Sequence, residues 1–263
     1  MSVEAMRYDG APQRRTHIMA ALRRAGFLSV ADISAQLGVS QMTIRRDLRR
    51  LAESGEVQLV HGGVSLPPGG VGAPGYASRA LSHAGAKRAI GAAAVRLVQP
   101  GDTIGIDSGT TAAEVAHALP EDFDGCVITH SVPVLAHMLS RPRSRVIGIG
   151  GELLHDNQAM VGFAALDLVR RMRVRLLFLG ASAVDERGAY VRSEVELSAK
   201  HALMDIADEV VLIADASKLT ATAPVQVCGF DRIDTLVVDG PLPAPVAAAA
   251  RRTGTRVLTA SPR

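Results

Sequence analysis

An α/β architecture in two parts is expected of this chain: a small basic helical domain, then a larger domain with a mostly parallel sheet. Three observations lead there. A helix–turn–helix spacing with an arginine-rich second helix occupies the stretch from Ser29 to Leu51. A proline and glycine run, PPGGVGAPG, follows at 67–75 and can hold neither a helix nor a strand ladder. Beyond it, short apolar segments alternate with helical ones, the pattern of a parallel sheet covered by helices. At 263 residues each part can bury a core of its own.

Taken in order, residues 1–13 are polar and expected to be disordered, and Arg14–Arg24 forms a helix with Ile18, Ala21 and Leu22 inward. Ser29 is a good N-cap, with Asp32 three residues on, for a helix running to about Leu37. Gly38 and Val39 make the turn, where glycine takes positive φ without penalty. Ser40 caps the second helix, in which Ile44, Leu48 and Leu51 form a narrow apolar stripe. At 100° per residue, Met42, Arg46 and Arg49 point away from that stripe, flanked by Thr43, Arg45 and Arg50. The wing strands are expected at Glu56–Val60 and Val64–Leu66, with His61 and Gly62 at the tip. Residues 14–66 are thus read as a winged helix-turn-helix domain.

The arginine face is suited to DNA. A recognition helix enters the major groove N-terminus first, so Gln41, Met42, Thr43 and Arg45 or Arg46 would meet base edges, with the Ser40 cap beside them at the DNA. Arg49 and Arg50 would contact phosphate, with His61 and Gly62 at the backbone. Charge is divided accordingly. Residues 1–66 hold nine Lys and Arg against six Asp and Glu, a net +3, and the other 197 residues hold twenty of each.

After the linker, the region 76–263 is read as one α/β domain. Helices are expected at His83–Leu97, Thr111–Leu119, up to Leu139, Phe163–Met172, Glu194–Ala207 and Pro243–Arg252. Strands are expected at Asp102–Asp107, Val127–Thr129, Arg145–Ile149, Arg175–Gly180, Glu209–Ala214, Thr235–Val238 and Arg256–Thr259. In such sheets ligands bind where strands end and helices begin. The first strand end, Asp107-Ser108-Gly109-Thr110-Thr111, combines a helix N-terminus with small hydroxyls and a glycine, an anion cradle as well as an ordinary turn. Thr129-His130-Ser131, Gly148–Gly151 and Asp215–Lys218 are further polar strand ends. Only three of the 29 basic residues are lysines, Lys87, Lys200 and Lys218, and a compact ammonium reaches a phosphate where a guanidinium does not fit.

Several classes are disfavoured. No run of about 18 apolar residues and no charged-then-apolar leader is present, which predicts a cytoplasmic protein with no membrane partner. Cys126 and Cys228 are far apart in apolar surroundings and are expected as buried free thiols. No Cys/His cluster has zinc-ligand spacing, so neither a metal nor a cofactor is expected.

The stretch VSQMTIRRDLRRLAESGEVQLVHGGV resembles the winged helix-turn-helix of the DeoR family of bacterial transcription regulators, with Val64 where relatives often carry alanine. The resemblance continues through KRAIGAAAVRLVQPGDTIGIDSGTTAAEVAHAL, VITHS, GIGGEL, FLGASAVDERG and LIADASKL, which are similar to the family's effector domain. It covers roughly residues 14–240. It implies a fold like that of ribose-5-phosphate isomerases and a bound phosphorylated sugar, with Asp107 to Thr111 around the phosphate. Lys87, Thr129, His130, Ser131, Gly150, Gly151, Asp185, Glu194, Lys200, Asp215 and Lys218 are then implied at or near the pocket. Two positions depart from the family. Relatives usually carry asparagine at His130, a change expected to alter the ligand accepted or to make binding sensitive to pH near the ordinary histidine range. They carry an acid at Arg175, where the change is expected to remove a structural or pocket-edge contact.

Two functions follow. One is a ligand-responsive regulator, expected to be a repressor that binds double-stranded operator DNA as a homo-oligomer, dimer or tetramer, and lets go when a phosphorylated sugar binds. The other is a sugar-phosphate isomerase with Asp107, Asp215 or Glu194 as general base. The fused helix-turn-helix, the linker and the divided charge favour the regulator.

Overall fold

The computed structural model describes residues 11–25, 27–54, 56–60, 63–65, 75–162 and 166–261. The chain divides into two compact units, Met1–Ser78 and Arg79–Arg263. The expected linker, all but Gly75, lies outside the described residues, as do His61, Gly62 and most of the N-terminal extension.

The first unit holds α1 (Ala11–Ala25), β1 (Phe27–Ser29), α2 (Val30–Leu37), α3 (Gln41–Glu53), β2 (Gln58–Val60) and β3 (Gly63–Ser65). Helix α1 starts three residues before the expected Arg14, so 11–13 are helical rather than irregular. Ser29 caps α2 as expected. Its Oγ accepts from the Asp32 amide (3.0 Å) and donates to the Asp32 carboxylate (2.7 Å). Gly38 closes α2 in the left-handed region at φ +64°, freeing Ser40 to cap α3, where its Oγ accepts from the Thr43 amide. The wing has a third strand that the sequence does not announce: β1 pairs antiparallel with β3, which pairs antiparallel with β2. Ile18, Leu22, Ile33, Ile44, Leu48, Leu51, Val57 and Val64 pack into one core.

The second unit is built on a seven-stranded, wholly parallel sheet. In chain order its elements begin with α4 (Tyr76–Leu81, which straddles the boundary), α5 (Ala84–Ala94), β4 (Thr103–Ile106), α6 (Thr110–Ala118), β5 (Cys126–Thr129), α7 (Val132–Met138) and β6 (Arg145–Gly148). A hairpin of β7 (Glu152–Leu154) and β8 (Ala159–Val161) follows, then α8 (Leu166–Val169), β9 (Val174–Gly180), β10 (Ala183–Asp185) and β11 (Gly188–Val191). The rest is α9 (Leu197–Asp205), β12 (Ala207–Ala214), β13 (Val225–Cys228), β14 (Thr235–Val238), α10 (Ala244–Thr253) and β15 (Arg256–Thr259). The large sheet runs β15-β14-β12-β9-β4-β5-β6, with every neighbouring pair parallel. Strands β10, β11 and β13 form a separate antiparallel sheet.

The central strands are apolar at almost every position, as strands buried on both faces must be. Leu176, Leu177, Phe178 and Leu179 of β9 and Val211, Leu212 and Ile213 of β12 are all essentially inaccessible. Helices α5 and α6 touch backbone to backbone at Gly91, where a Cβ would lie 2.5 Å from the Glu114 carbonyl oxygen. The expected helix over Phe163–Met172 is a single turn, Leu166–Val169, within the described residues. The expected helix from Glu194 begins as a 3-10 turn, Glu194–Glu196, before α9. Both cysteines are free and buried, and burial pushes the Cys228 thiol up to about 11.

Arg175 corrects an expectation. It makes a contact rather than removing one: Nε donates to Asp102 Oδ1 (2.7 Å), and Nη2 donates to Asp102 Oδ2 and to the Leu97 carbonyl (2.6 Å). It sits at the N-terminal end of β9, the opposite end from Gly180. A planar guanidinium there locks the start of β4 to β9 bidentately.

Candidate functional site

Two sites take shape, one in each unit. In the first, α3 buries Ile44, Asp47, Leu48 and Leu51 and leaves Gln41, Met42, Arg45, Arg46, Arg49 and Arg50 in solvent. Thr43 is half-buried, and its hydroxyl lies 3.0 Å from that of Ser40, so these two serve the cap as well as any base. Met42 is 77% exposed, unusual for an apolar side chain unless a partner covers it, and its methyl group suits a thymine.

Asp47 stands in sequence among the arginines of α3, yet it is 1% exposed, and its Oδ2 accepts from Arg14 Nε of α1 at 2.6 Å. With its acid turned inward, α3 shows solvent four arginines between Gln41 and Arg50 and no carboxylate. A surface of this kind attracts a polyanion and repels other cations.

In the second unit the chain reverses its direction of travel across the sheet between β4 and β9. This crevice at the strand ends is where open α/β sheets place ligands. Asp107 closes β4 there and is wholly buried. Its Oδ2 accepts from the Gly180 amide (2.9 Å) at the end of β9 and from the ammonium of Lys200 on α9. Lys200 Nζ also donates to the Gly180 carbonyl (3.1 Å). Burial alone would push the Asp107 carboxyl up, but Lys200 and the amides around it hold it below the usual carboxylate range. Asp107 Oδ1 has no hydrogen-bond partner. It lies 3.5 Å from His130 Nε2.

His130 is 2% exposed, beneath β8, whose Met160 amide donates to the His130 carbonyl (2.8 Å). Burial pushes the imidazole down to about 4 even though Asp107 pulls the other way. The expected pH sensitivity near the ordinary histidine range is therefore corrected: the ring is neutral there. The unfolded ring still titrates near 6.5. The folded state consequently loses stability as pH falls from 6.5 toward 4, by about 3 kcal/mol in all. His130→Asn, carrying the residue usual in relatives, should remove that dependence. Urea titrations of both proteins at pH 7.5 and 4.5 check it, and equal acid losses would refute the assignment.

The other expected pocket residues divide. Thr129 Oγ1 donates to the Ile106 carbonyl (2.6 Å), and Ser131 Oγ caps α7, so these hydroxyls shape the turn around His130. Ser108, Thr110 and Thr111 are buried at the start of α6, with Gly109 as its N-cap. Lys87 on α5 is 3% exposed and donates to the carbonyls of Arg79 and Ser82. Burial pushes it down to about 8, opposed by Asp215 and reinforced by Lys218 and Arg79. Asp215 ends β12 and caps the next turn through the Ser217 amide and hydroxyl. None of the three lysines is exposed.

Asp185, by contrast, accepts from the Arg187 amide (2.8 Å) in the β10–β11 turn, Glu194 is exposed, and Gly150 and Gly151 lie exposed past β6. Glu196, two residues further on, is the acid that feels Lys200 and Asp107. Burial pushes its carboxyl up against the pull of Lys200, and it bonds to Asn157. Sequence reasoning also missed Arg79, which donates to Asn157 Oδ1 (3.0 Å), and Arg192. Both are arginines in a chain rich in them, and only the fold singles them out. Among the described residues no group of three His, Cys, Asp or Glu could hold a metal ion, and no helix is long and apolar enough to cross a membrane.

Comparison with known families matches residues 14–68 to the DeoR-like helix-turn-helix domain and residues 82–240 to the DeoR C terminal sensor domain. The chain belongs to the DeoR family. It is 30% identical to a putative aga operon transcriptional repressor of Escherichia coli O157:H7 over 96% of this chain and 95% of that protein. It is 30% identical to the glycerol-3-phosphate regulon repressor of Escherichia coli K12 over 89% and 93%. Among solved structures it is similar to a ribose 5-phosphate isomerase from Methanocaldococcus jannaschii, with TM-score 0.37, 22% identity, and 50% and 52% of the two chains covered. This DeoR-family member is a DNA-binding transcriptional regulator with a sensor domain, and not an enzyme.

Proposed function

We propose that this DeoR-family protein represses carbohydrate-metabolism genes from the cytoplasm and releases its operator when a phosphorylated sugar enters the crevice between β4 and β9. The single observation carrying the sensor half is the meeting of Asp107, Lys200 and Gly180 at the strand ends, beside the buried hydroxyls and the amides, uncapped by any side chain, that open α6. The relative named for a glycerol-3-phosphate regulon supports a phosphorylated small metabolite as effector. On the DNA side, Gln41, Met42, Arg45 and Arg46 read bases and Arg49 and Arg50 hold phosphate, with Ser40, Thr43, His61 and Gly62 around them. The protein works as a dimer or tetramer, because a recognition helix of this kind reads paired half-sites. Release requires the effector to bind the DNA-free arrangement more tightly, and by linkage DNA must then weaken the effector.

The test is binding to the DNA upstream of its own coding sequence, at fixed salt, against a panel of sugar phosphates. Specific affinity of about 10⁻⁸ M or tighter, relieved by one compound, is expected. Arg46→Ala should cost about 1–3 kcal/mol on the operator and narrow the gap to scrambled DNA. Unchanged affinity for both sequences would overturn the role given to Arg46.

A further inference from the structure

The end of β12 holds charge that the crevice at Asp107 does not use. Lys218, in the turn after β12, and Arg192, just after β11, are both half-buried, and neither side chain makes a hydrogen bond or ion pair with a described residue. The two elements are neighbours in space, since the turn at 216–219 packs on β10, the partner of β11. Arg79 and Lys87 lie beside them, and among the described residues Asp215, Glu196 and Asp239, which accepts from the Ala216 amide (2.6 Å), are the acids at this group. Glu114, on α6, is more remote and already faces His117. Lys218 and Arg192 thus stand half-buried without a direct acidic partner among the described residues, where each ion forgoes part of its hydration.

Their titration agrees. Burial and Arg192 push the Lys218 ammonium down against the pull of Asp215, and burial pushes the Arg192 guanidinium down against Glu196. Asp107 and Lys200, by contrast, cancel each other. The cradle at α6 therefore offers amides and hydroxyls, while the turn after β12 and the end of β11 offer two cations without a direct partner among the described residues. Strand β9 lies between β4 and β12, so the two strand ends are two strand spacings apart, roughly 10 Å. A pentose or hexose with an anionic group at each end spans that distance.

We propose that Arg192 and Lys218 form a second anion subsite, so that the effector is a sugar carrying two anionic groups, one at the start of α6 and one after β12. This rests on the sensor crevice assigned above. A dianionic phosphate at the second subsite would pair with Lys218 and give Arg192 a planar, two-donor contact to phosphate oxygens.

The test is calorimetric titration of the full chain, at constant ionic strength, with paired monophosphates and bisphosphates of ribose, glucose and fructose. In at least one pair the bisphosphate should bind about thirtyfold tighter or more, the usual consequence of engaging a desolvated charge pair. Arg192→Gln and Lys218→Gln should each bring that ratio below about threefold, whereas Arg251→Gln, exposed on the solvent side of α10, should keep it. Equal binding of both members in every pair by the unaltered protein overturns the second subsite. So does a loss in Arg192→Gln that falls equally on both members, because the arginine then acts only as general attraction. If no sugar phosphate of either kind binds, the sensor reading itself fails, and the second subsite with it.

Discussion

Arg14→Met should unfold the DNA-binding unit near physiological temperature and abolish operator binding. The substitution keeps most of the apolar stem of Arg14 but strips Asp47 of its one ion-pair partner among the described residues, leaving a carboxylate that is 1% exposed inside a small core. Removing one member of a buried pair costs about 3–5 kcal/mol, because the charge left behind cannot be hydrated. A domain of this size has about that much stability in total. Replacing both members, as in Arg14→Met with Asp47→Leu, removes the stranded charge and should restore most of the loss. Hydrogen exchange across α3 reads the result directly. Protection in the single variant equal to that of the parent would show that the pair contributes nothing. Protection lost alike in the single and double variants would show that packing around Arg14, not charge, is what matters.

The corresponding change in the sensor, Lys200→Met, should silence the effector without touching operator affinity. Asp107 would lose the ammonium that holds its carboxyl down while remaining fully buried, so its pKa must rise above the unfolded value near 3.9. A carboxyl raised in the folded state contributes stability below the unfolded pKa and loses it as pH rises. Relative to the parent, the variant should therefore lose more stability at pH 7 than at pH 4, by at most about 4 kcal/mol, the limit for one proton over three pH units. Asp107→Asn combined with Lys200→Met should recover the stability and still fail to respond to effector. That outcome separates the role in binding from the role in folding. A full response in the double variant would remove Asp107 and Lys200 from the site.

What could be read in advance follows from how strongly each feature is written. The seven parallel strands are legible because each is a nearly unbroken apolar run between turn residues, and those at Thr235–Val238 and Arg256–Thr259 fall where expected. The β7–β8 hairpin and the β10–β11–β13 sheet were not legible: Glu152–Leu154, Ala183–Asp185 and Gly188–Val191 mix acids or glycine into short runs that show neither alternation nor an apolar stretch. The lysines were legible through their rarity in an arginine-rich chain. Arg79 and Arg192 were hidden by the same abundance. Asp47 and Glu196 were hidden for a different reason. An acid on a helix looks the same in sequence whether it faces water or a buried cation, and one step along α3, or two along the turn before α9, decides which.

The pairing that builds the sensor crevice also fixes when it can exist. Asp107 waits for Gly180, 73 residues downstream, and for Lys200, 93 residues downstream. A ribosome adding about 5–20 residues per second needs about 5–20 seconds to supply that lysine. Over that interval β5 and β6 join β4 in turn, and the inner edge of β4, the side that β9 will occupy, has no partner until Gly180 is made. The helices and wing of the first unit, in contrast, are complete once Ser65 has left the tunnel. During synthesis the DNA-reading part is therefore finished before any metabolite can be sensed. Chaperone demand, and the toll of a translational pause, should be concentrated between Ile106 and Lys200.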